Sequence, residues 1–135
     1  MKYIFTAVLL LSISSSACAQ ETSEQKSAET KLTTTQIKEL IEGKTTKGLH
    51  YGVETRQYFS KSGLTLWIKE GDETPSEAKY KIENDQYCSS WTGLWAETDY
   101  GCFNITFDKE QNVHYFIKEN FRAPFIINDG FDLIP

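Results

Sequence analysis

From Lys44 to the end of the chain, apolar and polar residues alternate with a period of two, and clusters of turn-forming residues break the alternation every few positions. A helix buries a stripe with a period of 3.6, whereas a strand with one covered face buries every second residue, so the pattern predicts strands. They are read at Thr45 to Tyr51 and at Val53 to Ser60, separated at Gly52. Another runs from Leu64 to Lys69, where Leu64, Leu66 and Ile68 alternate with Thr65, Trp67 and Lys69. Further strands follow at Ala78 to Ile82, Gln86 to Thr92, Tyr100 to Phe107 and Val113 to Lys118. Ser60 to Gly63, Glu70 to Ser76, Glu83 to Asp85 and Asp108 to Asn112 are turns or loops. Pro124 interrupts the tail, and a last short strand is expected through Phe125, Ile126 and Ile127.

Strands joined by short turns, with no helices between them, argue for an antiparallel meander. The expected fold is therefore mainly β. Seven or so strands with one apolar face curl into a small barrel or half-barrel, a sandwich being the other arrangement. One short helix precedes them. Thr33 and Gln36 form a capping box, Leu32 and Ile37 a hydrophobic staple, and Ile37, Leu40 and Ile41 one apolar face. Gly43 stands where a left-handed residue ends a helix, so the helix spans 33–42 and closes one end of the sheet.

The amino terminus reads as an address. Met1-Lys2 supplies one positive charge, Tyr3 to Leu11 is apolar except for Thr6, and small residues follow. This is a signal peptide over 1–19, too short to span a bilayer comfortably. Two cleavages compete. Cutting after Ala19 leaves a soluble chain starting at Gln20. Cutting before Cys18 leaves a cysteine for lipidation, with Ser15 standing where that pattern usually wants leucine. Residues 20–31 read as a disordered polar tail, and 32–135 as a single domain. Membrane attachment is expected only through a lipidated Cys18; otherwise the chain is periplasmic or secreted.

Loss of Lys2 lowers the basic residues from 14 to 13, against 19 acidic ones. Nucleic acid is excluded as a partner, because its phosphates demand a basic footprint. The acids look scattered, as on a solvated surface.

Cutting after Ala19 leaves two cysteines, Cys88 and Cys102, an even number suited to an oxidising compartment. They enclose the stretch YCSSWTGLWAETDYGCF. Alternation puts Tyr87, Ser89 and Trp91 on one face and Phe103, Ile105 and Phe107 on the matching face of the return strand. Both cysteines then share the opposite face, where a disulfide fits. A redox site would prefer C-x-x-C, and zinc would need two more ligands, for which His50 and His114 are not spaced. No metal and no cofactor is expected.

Within the enclosed stretch, Trp95, Glu97, Asp99 and Tyr100 accompany Trp91. Aromatic rings beside carboxylates suit a glycan-binding or peptide-binding surface, since the ring stacks and the acid accepts hydrogen bonds. Against this, Trp91 reads as core by alternation, and Trp95 as a cap folded over an open barrel end. Trp67, opposite the leucine face of its strand, is a weaker surface candidate. Gly43-Lys44-Thr45 lacks the upstream glycine of a phosphate-binding loop, Lys38 standing in its place, and no G-x-S-x-G or H-E-x-x-H occurs. Paired carboxylates such as Glu97 and Asp99 have the chemistry for the acid–base work of glycoside hydrolysis, although 19 acidic residues make some pair near a loop inevitable. Alanine at both positions that left a detected turnover intact would end that idea.

Gly43-Lys44-Thr45, the run Tyr58 to Gly63, Lys79-Tyr80-Lys81-Ile82 before an acidic turn, Tyr87-Cys88, Trp91 and Cys102-Phe103-x-Ile105 occur in that order. The series resembles a group of small exported bacterial β proteins of unknown function, over 43 to about 118, and departs from it in the glycine-poor stretch between Leu64 and Ile82. The resemblance implies a bacterial envelope protein with a β fold and transfers no activity. The leading expectation is a non-enzymatic envelope or secreted binding module for a glycan, a peptide or another envelope protein. The second is an inhibitor of an envelope-directed hydrolase such as a lysozyme, in which an acidic surface meets a basic enzyme.

Overall fold

The computed structural model describes residues 28–91 and 100–134. Among these, nine strands and one helix follow one another. They are β1 (Glu29–Lys31), α1 (Thr34–Ile41), β2 (Lys44–His50), β3 (Val53–Phe59), β4 (Leu64–Lys69), β5 (Ser76–Glu83), β6 (Gln86–Ser90), β7 (Gly101–Asp108), β8 (Val113–Lys118) and β9 (Phe121–Asp129). From β2 to β9 each strand pairs antiparallel with its neighbours in sequence, and β9 returns to pair with β2. Eight strands thus close into an up-and-down barrel, which removes every edge within the cycle.

Alternate connections of a meander lie at the same end. The α1–β2, β3–β4, β5–β6 and β7–β8 connections gather at one end, and β2–β3, β4–β5, β6–β7 and β8–β9 at the other. The first end is sealed by α1. Ile37 and Ile41, at 0% exposure, project into the barrel and join Phe59, Tyr80, Ile82, Tyr87, Ile105 and Phe116 in one core. The capping box forms as expected, with the Thr33 side chain accepting from the Gln36 backbone N–H and the Gln36 side chain accepting from that of Thr33. Asp85, in the β5–β6 turn, accepts both the backbone N–H of Thr34 (2.7 Å) and its hydroxyl (3.1 Å), pinning the helix to the barrel. Those two bonds hold the Asp85 carboxyl below its ordinary range. Gly43, at φ 75°, turns the chain from α1 straight into β2 and donates its N–H to Phe59 O at 2.7 Å.

Three expectations are corrected. Residues 29–31, read as the end of a disordered tail, form β1; the rest of the tail and the signal segment lie outside the described residues. The cause is tertiary. β7 outruns β6, leaving an unpaired edge from Asn104 that β1 covers from Thr106 to Asp108. Glu29 then accepts two bonds from Arg122 (2.6 and 2.9 Å) and one from Thr106 (2.6 Å), while the Arg122 guanidinium lies 3.7 Å over the Tyr115 ring.

The second correction concerns the tail. Instead of a short strand after an interrupting Pro124, β9 runs through that residue for nine positions. Its ladder with β2 nevertheless stops at the Gly48–Phe125 pair, next to the proline that has no N–H to give. A Cβ on Gly48 would stand 2.2 Å from Pro124 O, so only glycine permits this approach of β2 and β9.

The third concerns β4. Its alternation is as expected, but the inner face belongs to Thr65 and Trp67, paired with Phe59 and Gln57, and the leucines point outward. On the outside, residues 130–134 strap β2 and β3. Thr45 donates to Gly130 O and accepts from Asp132 N–H, Arg56 pairs with Asp132 at 2.7 Å, and Tyr58 meets Phe131 edge-on. Beside them Ile68 is buried on the outer face, opposite Arg56.

Candidate functional site

The end opposite α1 is finished differently. His50 at the close of β2, Trp67 on β4 and Phe121 at the start of β9 all take inner-face positions and are only partly buried. The His50 ring lies 6.0 Å from Trp67 and 5.4 Å, edge-on, from Phe121. Phe121 also meets Tyr51 at 5.7 Å and Phe103 at 5.7 Å. These contacts span the place where the β2–β9 ladder has ended, so rings rather than backbone hydrogen bonds close the wall there. Tyr51, in the β2–β3 turn, is 91% exposed, and Leu49 and Val53 beside it are exposed as well.

Burial pushes the His50 imidazole below its ordinary value, because the rings around it solvate a cation poorly. His50 is therefore a neutral aromatic group near pH 7, with ring nitrogens available for hydrogen bonding.

A polar thread leads from this end into the barrel. Trp91 Nε1 donates to Ser89 Oγ at 2.9 Å, and Ser89 is hydrogen-bonded in turn to the Tyr87 hydroxyl. That hydroxyl accepts from Gln57 Nε2 at 2.7 Å, and the same amide donates to Thr65 Oγ1 at 2.8 Å. The Thr65 hydroxyl donates to Tyr58 O at 2.9 Å. Burial raises the Tyr87 phenol well above its usual value, so it stays protonated and the thread carries no charge. A chain of satisfied polar groups in an apolar interior fixes orientations, and here it fixes the inward turn of Trp91.

The stretch that raised the binding question enters and leaves at this same end. Cys88 and Cys102 pair across β6 and β7 and are joined by a disulfide, on the outer face as alternation required. The structure turns Trp91 and Tyr100 to opposite sides of that sheet. Trp91 goes inward to Ser89, whereas the Tyr100 ring lies 4.5 Å from Lys81 Nζ, on the outer-face side of β5. Trp95, Glu97 and Asp99 lie outside the described residues. Among the described residues no group of three or more histidine, cysteine, aspartate or glutamate side chains is placed to hold a metal ion.

Sequence reading singles out Trp67 only weakly, weighs His50 only as a metal ligand, reads Phe103 only as core, and gives Phe121 no role. A signal was present: each stands within three residues of a connection of the even set, and numbering the turns along a meander sorts them to one end. Comparison with protein-family models, with curated proteins and with solved structures gives no match.

Proposed function

We propose that this chain is an exported, non-enzymatic binding module that takes its ligand at the open end of the barrel. The observation that carries the reading is the contrast in exposure. Apolar side chains at the α1 end are driven to 0% exposure, while a contiguous set of rings at the other end stays partly open to solvent. Leaving aromatic surface in water has a cost that ligand burial recovers. A glycan stacking on Trp67, a peptide or another envelope protein are the partners this surface suits.

Export is the compartment that fits best. The Cys88–Cys102 disulfide suits an oxidising setting, and the leader-like residues 1–19 supply the route. The mature chain is then periplasmic or secreted, or held by a lipid at Cys18. The resemblance to small exported bacterial β proteins agrees with that placement.

The test is affinity capture from envelope extract with the oxidised wild-type chain against Trp67→Ala and Phe121→Ala variants shown to be folded. A protein or glycan kept by the wild type and lost by both variants supports the reading. Capture that ignores both substitutions would place binding elsewhere on the molecule.

A further inference from the structure

Two turns of the barrel differ in what they ask of the backbone. At the sealed end the β5–β6 turn is Asn84-Asp85, with φ 52° and 57°, residue types that accept the left-handed region readily. At the open end the β2–β3 turn sets Tyr51 at φ 50° before Gly52 at φ 81°. A hairpin turn with positive φ at both positions is best met by asparagine before glycine, whereas a bulky ring is strained there. Solvation adds to the strain, because the Tyr51 ring is almost wholly exposed. An edge contact with Phe121 at 5.7 Å is what steadies it.

Tyr51 does not stand alone. Leu49 and Val53 flank it, and on the outer face Ile126, paired with Lys47, stands diagonally from Leu49; all three are exposed. Residues 49–53 hold no acid, lysine or arginine. The charges that border them balance, since Lys47 pairs with Glu54 at 3.3 Å and Lys118 adjoins Glu119 in the chain. This corner takes no residue from the β6–β7 connection, which the strand order puts across the mouth.

We propose that this corner is a membrane contact, in which the Tyr51 turn, with Leu49, Val53 and Ile126, enters the interfacial layer of a zwitterionic bilayer. The contact is independent of what the open end holds, and the sequence reading, which allowed membrane attachment only through a lipidated Cys18, did not provide for it. The apex of a turn is convex, so it gives a small ligand no walls. The four side chains expose on the order of 400 Å² of apolar surface, about half of the ~800 Å² that each partner gives to a stable protein complex. A bilayer asks for no matching shape. Tyrosine suits its boundary, where the ring is buried and the hydroxyl stays wet. The charge of the whole chain excludes an anionic leaflet, because 19 acidic residues against 13 basic ones are repelled by it.

The experiment uses the oxidised chain from residue 20 to 135 and phosphatidylcholine vesicles, with sedimentation giving the partition coefficient. Wild type should partition alike at about 50 and about 500 mM sodium chloride, since no charge drives the contact. A nitroxide on the lipid headgroup should broaden the amides of residues 49–53 and 125–127 before those of α1. Tyr51→Asn should weaken partition about tenfold while holding or raising the thermal midpoint, because asparagine relieves the turn. Ile126→Ser, which leaves the turn untouched, should weaken it several-fold. Partition that both variants keep, or broadening centred on another face, overturns the contact. So does an absence of partition, which leaves the corner to a protein partner. A dimer in lipid-free solution that Tyr51→Asn abolishes overturns it in favour of a second copy of the chain. A midpoint lowered by Tyr51→Asn, with Ile126→Ser partitioning as wild type, would show that the ring serves the fold and overturns the contact as well.

Discussion

The two ends of the barrel use similar residues to different effect. At the α1 end, Ile37 and Ile41 from a helix reach Phe59, Tyr80 and Tyr87, and the resulting core is closed on every side. At the other end His50 meets Trp67 and Phe121, Phe121 meets Tyr51 and Phe103, and none of these rings is fully buried. The difference lies in what caps the interior, not in how apolar the strands are. Among the described residues a helix covers the rings at one end and no helix covers those at the other.

Substitutions at the two ends should therefore separate folding from binding. The largest loss is expected at Ile37→Ala, a fully buried side chain whose truncation leaves a cavity under the helix, at about 3 kcal/mol. Chemical denaturation measures it. Trp67→Ala, at a position already partly solvated, should cost less in the same experiment while abolishing ligand capture. Equal losses of stability at both ends would erase the distinction.

Replacing Cys88 and Cys102 together by serine opens a loop of 15 residues and should cost about 3 kcal/mol in the chain-entropy view. Hydrogen exchange should then accelerate at the ends of β6 and β7, with α1 amides the last to change. Uniform acceleration would mean that the disulfide supports the whole barrel rather than its open end.

Gly48→Ala tests the seam where β2 leaves β9. The new methyl has Pro124 O in its path, and relieving that clash should cost about 2 kcal/mol and widen the open end. An unchanged midpoint would show that the strands can part freely there.

The smallest effect is on pH dependence. Burial lowers the ordinary values of both His50, at the open end, and His114, held between Phe107 and Phe125 on inner-face positions. Each folded value lies below the unfolded one. The stability they lend is complete above about 6.5, the unfolded histidine value, and drains away as pH falls from there through the folded values. Imidazole signals followed by NMR should titrate below that of a free histidine. A ligand seated on the open end should lower His50 further and leave His114 where it was; a common shift would argue against a local site.

Much of this architecture was legible beforehand. The Thr33–Gln36 capping box set α1 to within a residue, and alternation placed Cys88 and Cys102 on one face. β4 shows where legibility ended. Its sequence separates Leu64, Leu66 and Ile68 from Thr65 and Trp67 correctly, but period alone does not say which set points inward. On the outer face, Ile68 instead lies opposite Arg56, whose partner Asp132 comes from far along the chain. β1 is hidden for the same reason: Glu29 acquires a strand only because an edge of β7 and the side chain of Arg122 await it.

The sequence by itself determined the local conformations of this protein: strands from a two-residue period, a helix from its cap and staple, turns from asparagine, aspartate and glycine. Those are short-range preferences written in neighbouring residues. The tertiary structure alone decided closure, which face is the interior, and the gathering of His50, Trp67, Phe103 and Phe121 at one end. These depend on pairing between segments distant in sequence, as Lys44 with Asp129, and no local pattern carries that information.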